Sequence, residues 1–255
     1  MSRRSAVLVA LAAVCVLVAM LVHPIAQPLE YHDFADVRTF FGVPRFFDVA
    51  SNLGFLAAGA AGLVIIARRP EAFESPAERW PYATFFVGLV LTAFGSAYYH
   101  LAPDNSRLVW DRLPIMVSLA GLLAGQIADR TSARAGVALL VPALIVGAGT
   151  VLYWDATERA GQGNLVPYAI AQVYAMSVCL ILAATGPSRY TRANDIWWVF
   201  GWYVVAKIAE ALDEQVFAIG QIVSGHTVKH LTAAISGFVI CAMLARRVPV
   251  DAALP

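Results

Sequence analysis

The chain is dominated by long apolar runs separated by short polar breaks, and this pattern restricts the possible folds more than any other feature. Of its 255 residues, 60% are hydrophobic and only 14% are charged. A soluble domain carries about 25% charged residues. Several of the runs approach the roughly 20 residues that an α-helix needs to cross the hydrocarbon core of a bilayer. The pattern predicts an all-α, multi-span membrane protein with no separate soluble domain.

Eight segments are long enough to cross a bilayer. They cover residues 6–26, 46–67, 81–102, 108–128, 135–154, 165–185, 195–217 and 223–245. The first segment follows two arginines, so a cleaved signal peptide has to be weighed. Its apolar run from Ala6 to Val22 is longer than a typical signal-peptide core, and no clear small-residue cleavage site follows it. We therefore expect a retained helix.

The arginines predict the orientation of the chain, because basic residues collect at the cytoplasmic ends of spans. With alternating spans, eleven arginines fall at one set of ends and five at the other. The larger set is Arg3, Arg4, Arg68, Arg69, Arg79, Arg130, Arg134, Arg189, Arg192, Arg246 and Arg247, and the smaller set is Arg38, Arg45, Arg107, Arg112 and Arg159. We expect both termini in the cytoplasm, as in a multi-pass bacterial inner-membrane protein, with the smaller set facing outward.

Charge and cysteine content argue against two other classes of protein. A net charge of +1 and the lack of a basic patch give no reason to expect a nucleic-acid partner. The three cysteines, Cys15, Cys179 and Cys241, are widely spaced inside apolar runs. They are typical of small core residues, and no disulfide framework is indicated.

Three histidines fall near the outward ends of two predicted spans. His226 and His230 are four residues apart, so one helix face carries both, and His100 ends the third predicted span. A single histidine in such a place is usually an interfacial or satisfied buried residue. Three neutral imidazoles together form a good ligand set for zinc, and three protein ligands leave a fourth position for water, as in catalytic sites. The set predicts a zinc centre.

Two more polar residues lie at a similar predicted depth. Ser96 is one helical turn before His100, and Asp111 opens the fourth predicted span on the same side of the membrane. Ser96 has the alternative of bonding back to a carbonyl of its own helix. Asp111 has the alternatives of stabilising a helix N-terminus or pairing with Arg107 or Arg112. A carboxylate beside a metal-activated water can take its proton, and a hydroxyl can stabilise an oxyanion.

The order and spacing of these residues resemble the alkaline ceramidase family. The shared features are a serine four residues before a histidine (Ser96, His100), an aspartate eleven residues later (Asp111), and a pair of histidines four apart near the C-terminus (His226, His230). The stretch FFDVASNLGFL at 46–56 is similar to the start of the ceramidase core. The family belongs to a superfamily of seven-span membrane hydrolases and receptors that includes the progestin and adipoQ receptors. The resemblance covers roughly residues 30–245.

The resemblance implies a transmembrane helix bundle with a seven-helix core and one additional N-terminal helix. The implied segments are an N-terminal helix at 1–29 that is a possible signal anchor, a membrane hydrolase core at 30–247 and a short tail at 248–255. It implies a zinc-dependent amidase that cleaves the N-acyl bond of ceramide or a related sphingolipid. The products are a free fatty acid and an amine. The implied partners are this lipid and the bilayer.

The same resemblance implies a role for each site residue. His100, His226 and His230 would hold zinc, Asp111 would act on the zinc water, and Ser96 would support the oxyanion. The receptor branch places its aspartate further along the chain, so the spacing favours the hydrolase branch. A receptor-like protein or scaffold with a structural zinc remains the alternative. A transporter of metal or protons is disfavoured, because the polar residues cluster at one predicted membrane face.

The chain departs from the family at the calcium site. Alkaline ceramidases build that site just before their first core span and end it with a glutamate, where this chain has Arg45. The acidic residues nearby are Glu30, Asp33, Asp36 and Asp48. Arg38 and Arg45 can neutralise them by bidentate pairing, whereas Ca²⁺ requires six to eight oxygen ligands. We expect an ion-pair network in place of calcium.

A polar stripe late in the seventh predicted span has two interpretations. Lys207, Glu210 and Asp213 recur every three residues. They form either a buried lysine–glutamate pair with Asp213 among the headgroups, or carboxylates that accept N–H groups of the zinc histidines. Lys229 can pair with the same acidic group. The sequence leaves both interpretations open.

Overall fold

The protein is all-helical in the computed structural model, which describes residues 3–252. Its α-helices are α1 (Arg3–Leu21), α2 (Phe46–Ala50), α3 (Leu53–Arg68), α4 (Arg79–Leu101), α5 (Asn105–Arg130), α6 (Ala133–Arg159), α7 (Val166–Thr185), α8 (Asp195–Ala211), α9 (Asp213–Ala218) and α10 (Gly225–Arg246). No β-strand occurs within 3–252. Residues 1–2 of the predicted N-terminal helix at 1–29 and residues 253–255 of the predicted tail lie outside the described residues.

Among the described residues, six helical segments are long and apolar enough to cross a membrane. They are Phe46–Arg68, Pro76–Leu101, Asn105–Arg130, Ala133–Arg159, Val166–Thr185 and Gly225–Arg246. Each covers the roughly 20 residues that a bilayer core demands. These helices support a multi-pass membrane protein whose environment is the bilayer, in agreement with the fold class predicted from the sequence.

Two of the eight predicted spans form shorter helices than expected. The first was expected to end at residue 26, but α1 ends at Leu21, shortly before Pro24 and Pro28. The seventh was expected to run from 195 to 217, but α8 has 17 residues and is interrupted at Leu212 before α9 begins. At 1.5 Å per residue, α8 is about 26 Å long. Length alone therefore does not establish seven spanning core helices.

The second predicted span contains a break after its first turns. The Ser51 hydroxyl donates to the Asp48 carbonyl at 3.1 Å, and the Asn52 amide donates to the same carbonyl at 2.7 Å. Side chains that bond to nearby carbonyls compete with the helical ladder. The chain consequently passes from α2 to α3 at Ser51 and Asn52, which places Ser51 inside the bundle.

The central pair of helices, α4 and α5, packs at backbone distance. A Cβ atom on Gly95 would lie 1.9 Å from the carbonyl oxygen of Trp110, so only glycine fits at this position. Small residues permit such close approach in membranes, where packing rather than water exclusion drives helix association. The contact lies one residue before Ser96 on α4 and one residue before Asp111 on α5.

The bundle has a histidine end, where α4 ends and α5 and α10 begin, and an opposite end. At the opposite end, buried Arg247 donates to the Asp129 carboxylate at 2.7 Å, and the Tyr82 hydroxyl donates to the same oxygen at 2.6 Å. Arg247 also lies 4.1 Å from the ring of Tyr190. Burial and a hydrogen bond to Glu78 raise the pKa of Tyr190 to about 12. The phenol therefore stays protonated and donates to Glu78.

Candidate metal centre

Three buried histidines converge at the histidine end. His100 lies in the last turn of α4, and His226 and His230 lie in the first two turns of α10. Their ligand atoms lie within 4.8 Å of one another, and His100 Nε2 is 3.2 Å from His226 Nε2. Within the described residues, this is the one group of three or more histidine, cysteine or acidic side chains placed to hold a metal ion.

The separation of His100 and His226 fits two ligands of a tetrahedral metal ion. Zinc–nitrogen bonds of about 2.0–2.1 Å place two imidazole nitrogens about 3.3 Å apart, close to the separation of the His100 and His226 nitrogens. Neutral imidazole is a suitable ligand for zinc and for several transition metals. The group could therefore bind a metal ion, as predicted, although the donor set alone does not select one metal.

The start of α10 is held by hydroxyl groups. Ser224 caps the helix by accepting a hydrogen bond from the Thr227 backbone N–H at 3.0 Å. The hydroxyls of Ser224 and Thr227 both donate to Oδ1 of buried Asp48, at 3.1 and 2.6 Å. Because a capped first turn is less free to fray, these bonds fix the positions of His226 and His230.

The second ring nitrogen of His230 has its own partners. His230 Nδ1 is 2.8 Å from Ser51 Oγ and 3.2 Å from the Asp48 carbonyl oxygen. A carbonyl oxygen only accepts, so Nδ1 is the donor in that contact. Such a bond fixes the tautomer and leaves the Nε2 lone pair for a metal. Ser51 belongs to the Ser–Asn pair noted in the sequence, but no sequence signal connected it to His230.

The loop between α1 and α2 covers the histidines. The Phe34 ring lies 4.7 Å from the His100 ring and 4.5 Å from the His226 ring, measured between centroids. The Asp213 carboxylate accepts from the backbone N–H of His226 at 2.6 Å and from that of Ala35 at 3.0 Å. Asp213 thereby connects the loop, the start of α9 and the start of α10. Phe34 was not identified from the sequence.

The structure also brings the predicted serine and aspartate to this place. Ser96 and Asp111 are buried, and Ser96 lies within hydrogen-bonding reach of the Asp111 carboxylate. Both residues line one cavity together with His230. Asp111 forms no ion pair with Arg107 or Arg112 in the part of the chain that the structure describes, where Arg107 pairs with Asp104. All five predicted site residues therefore lie at one end of the bundle.

The cavity has a volume of about 310 Å³ and two chemically different parts. Its inner part is apolar and is lined by Phe85, Leu122, Cys179 and Phe200, among others. Its part near the histidines is lined by charged side chains from α5, α8 and α10. Cavities of this size and composition accommodate part of a drug-sized or lipid-like molecule.

Glu210 forms the lysine–glutamate pair that one interpretation of the polar stripe predicted, but the Lys207 side chain is 55% exposed rather than buried. It pairs with Lys207, and its other oxygen lies 2.5 Å from Lys229 Nζ. Within residues 3–252 it makes no hydrogen bond to a histidine, so the interpretation as a support of the zinc ligands is wrong for Glu210. Asp213 supports His226 through the backbone rather than through the ring.

The predicted ion-pair network near the first core span is present in part. The Asp36 carboxylate accepts two bonds from the Arg38 guanidinium, at 2.8 and 2.6 Å. Burial of Asp36 raises its pKa, but the bonds and charge of Arg38 outweigh this and hold the pKa below its usual value. Arg38 also donates to the carbonyls of Gln221 and Ile222. Arg45 forms no ion pair within the described part of the chain, and its Nε is buried without a partner there.

No protein-family model and no curated protein matches this chain. A functional assignment therefore depends on the geometry of the site and on the sequence resemblance.

Proposed function

We propose that the protein is a zinc-dependent intramembrane amidase that hydrolyses the N-acyl amide bond of a lipid. The substrate class implied by the ceramidase resemblance is ceramide or a related sphingolipid. The proposal rests chiefly on one observation. Three buried imidazoles converge, and one of them, His230, lines a cavity whose wall also contains Asp111, Ser96 and a set of apolar side chains.

Amide hydrolysis requires an activated water, a stabilised carbonyl oxygen and a proton for the leaving amine. The imidazoles of His100, His226 and His230 would hold a zinc ion, which when bound would supply Lewis acidity and make water acidic enough to ionise near neutral pH. Asp111 accepts a proton from the attacking water and returns it to the amine nitrogen as the C–N bond breaks. Ser96 donates its hydroxyl hydrogen to the developing oxyanion. A carboxylic acid and an amine are the products.

The environment of the site suits a lipid amide. The amide of an N-acyl lipid lies just below the headgroups, and the histidines lie at the ends of helices long enough to span the bilayer. The acyl chain would occupy the apolar part of the cavity, so that the amide reaches Asp111 and Ser96. An apolar cavity also keeps bulk water away and strengthens electrostatic interactions with the reacting atoms.

The alternative is a receptor-like protein or scaffold in which the metal is structural. The Phe34 ring over His100 and His226 favours this reading, because it covers two of the ligands. Three protein ligands favour the enzyme, since structural zinc sites are almost always completed by four.

Steady cleavage of a labelled lipid separates the two functions. The full chain, purified in lipid nanodiscs with zinc, should release fatty acid from ceramide, and Asp111→Asn should release far less while retaining its metal. A wild-type preparation with full zinc content that cleaves no N-acyl lipid would refute the amidase and favour the scaffold.

A further inference from the structure

The charged part of the cavity carries more positive than negative side chains. Arg112, Lys207 and Lys229 line it together with Asp111 and Glu210. Glu210 is shared by the two lysines. The formal charge of these five groups is therefore +1, before any metal is bound at the adjacent histidines.

Arg112 is the unmatched cation in this group. It is only 5% exposed, and it forms no ion pair within the described residues. Its Nη2 donates to Gln27 Oε1 at 2.5 Å, whereas its Nη1 is buried without a hydrogen-bond partner there. The guanidinium lies 4.1 Å from the Trp154 ring and 4.9 Å from the Tyr168 ring. These aromatic faces hold the cation in place without neutralising it.

An unpaired arginine within a spanning helix is costly and usually marks a place where function requires the charge. Guanidinium groups bind carboxylates, sulfonates and phosphates through charge-assisted hydrogen bonds. Arg112 directly follows Asp111 on α5, and both line the same cavity. An anion bound by Arg112 would therefore lie close to the carboxylate that acts on the amide.

From these charges we infer that the substrate carries an anionic group a few atoms from its scissile nitrogen, and that Arg112 binds this group. The inference rests on the proposed amidase function and narrows its substrate class from N-acyl lipids in general to anionic ones, so that neutral ceramide is the weaker substrate. The acyl chain occupies the apolar part of the cavity, so the anion belongs to the amine side of the molecule. The substrate class is an N-acyl lipid with a carboxylate, sulfonate or phosphate near the amide, and Lys207 and Lys229 add to the positive potential around it.

A matched pair of lipids tests this inference. N-hexadecanoylglycine and N-hexadecanoylethanolamine share the acyl chain and the amide. The amine side ends in a carboxylate in the first and in a hydroxyl group in the second. Binding is measured by calorimetry on Asp111→Asn protein in nanodiscs, and cleavage is measured on the wild-type background. We expect the glycine conjugate to bind at least about tenfold more tightly, as for a charge-assisted contact with a buried partner. N-acetylglycine, which has the anion without the chain, should bind far more weakly.

Variants assign the preference to this part of the cavity. Arg112→Gln should abolish the preference for the glycine conjugate, and Arg112→Lys should retain part of it. Lys207→Gln, at a half-exposed position, should lower the preference without endangering the fold. Arg159→Gln changes an exposed arginine at the same end that does not line the cavity, and it should have no effect.

The outcomes separate this inference from the amidase proposal. The anionic substrate class is refuted if the two lipids bind equally, or if the preference survives Arg112→Gln and Lys207→Gln. This holds even if neutral amides are cleaved. Tight binding of N-acetylglycine would show that the acyl chain is not needed and would overturn the claim that the substrate is a lipid. Preferential binding of the glycine conjugate that depends on Arg112, without cleavage of any amide, supports the anion site and refutes the amidase.

Discussion

Ser51 Oγ lies 2.8 Å from Nδ1 of His230, so a residue from the break between α2 and α3 contacts the ring of a candidate metal ligand on α10. Partners of this kind orient the imidazole and fix its tautomer. The break between α2 and α3 therefore influences how firmly His230 on α10 can bind a metal ion.

Removing this hydroxyl should weaken metal binding without abolishing it. Loss of such a partner typically costs about 10–100-fold in metal affinity, so Ser51→Ala should lower zinc affinity by that order. Competition with a chromophoric chelator measures the affinity. Thr150→Ala, which removes a hydroxyl bonded within α6, is the matched control. Equal affinities in the two variants would mean that Ser51 does not orient His230.

Zinc should be present at about one ion per chain, and each imidazole should be necessary for it. Alanine at His100, His226 or His230 should remove metal and activity together, because two remaining ligands cannot hold the ion firmly. Metal analysis of purified protein decides this. His23→Ala changes an exposed histidine outside the group and should retain full metal content. Full zinc in His226→Ala would contradict the assignment.

Asp111→Asn should separate catalysis from metal binding. The amide preserves the shape of the side chain but cannot accept the proton, and general acid–base catalysis contributes about 10²–10⁴-fold. Turnover should fall by that order, while zinc content and thermal stability stay near wild type. Metal analysis and cleavage are measured on the same preparation. Asp155→Asn, at an ion pair with exposed Arg159, serves as the control. Joint loss of metal and activity would instead make Asp111 a ligand.

The histidine end should face the cell exterior or periplasm, because the arginine excess lies at the opposite end. A membrane-impermeant thiol reagent tests this on a cysteine-free background. Intact cells should be labelled at Asp104→Cys, in the loop beside His100, and not at Glu71→Cys, at the opposite end. Both positions are exposed. The reverse labelling pattern would overturn the orientation and the side from which substrate enters.

The ion pair between Arg247 and Asp129 should be essential for stability. Arg247→Met leaves the buried Asp129 carboxylate unpaired, which costs about 3–5 kcal/mol. Unfolding in mixed micelles measures the loss. Arg246→Met, at the exposed neighbouring position, should change stability little. Adding Asp129→Asn to Arg247→Met should recover part of the loss, because no unpaired charge then remains.

Six of the eight spans and the histidine group could be predicted because their signals are local. Bilayer thickness sets the length of an apolar run, and a spacing of four places His226 and His230 on one helix face. The contact of Phe34 with the histidines depends on the path of a 27–45 loop that no periodicity describes. The break after α8 also escaped prediction, since nothing in the local pattern shows that Asp213 bonds to Ala35 and His226.

The sequence also does not show which charged residues pair with one another. The stripe of Lys207 and Glu210 was compatible with two arrangements, and only the position of Lys229 relative to Glu210 distinguishes them. The pair of Asp129 and Arg247 joins residues 118 positions apart, which the sequence does not connect. Asp111 and Arg112 are adjacent in sequence, but their common cavity depends on how α4, α5, α7, α8 and α10 surround it.

The close approach of Gly95 to Trp110 has a consequence for motion. Ser96 directly follows Gly95, and Asp111 directly follows Trp110. The distance between their backbones is therefore set by a contact that cannot become shorter and that the surrounding packing holds together. Fluctuations of α4 and α5 should displace the two side chains as one rigid body. A substrate that is too bulky for the cavity must then be accommodated by α7, α8 or α10, because the wall formed by α4 and α5 does not yield.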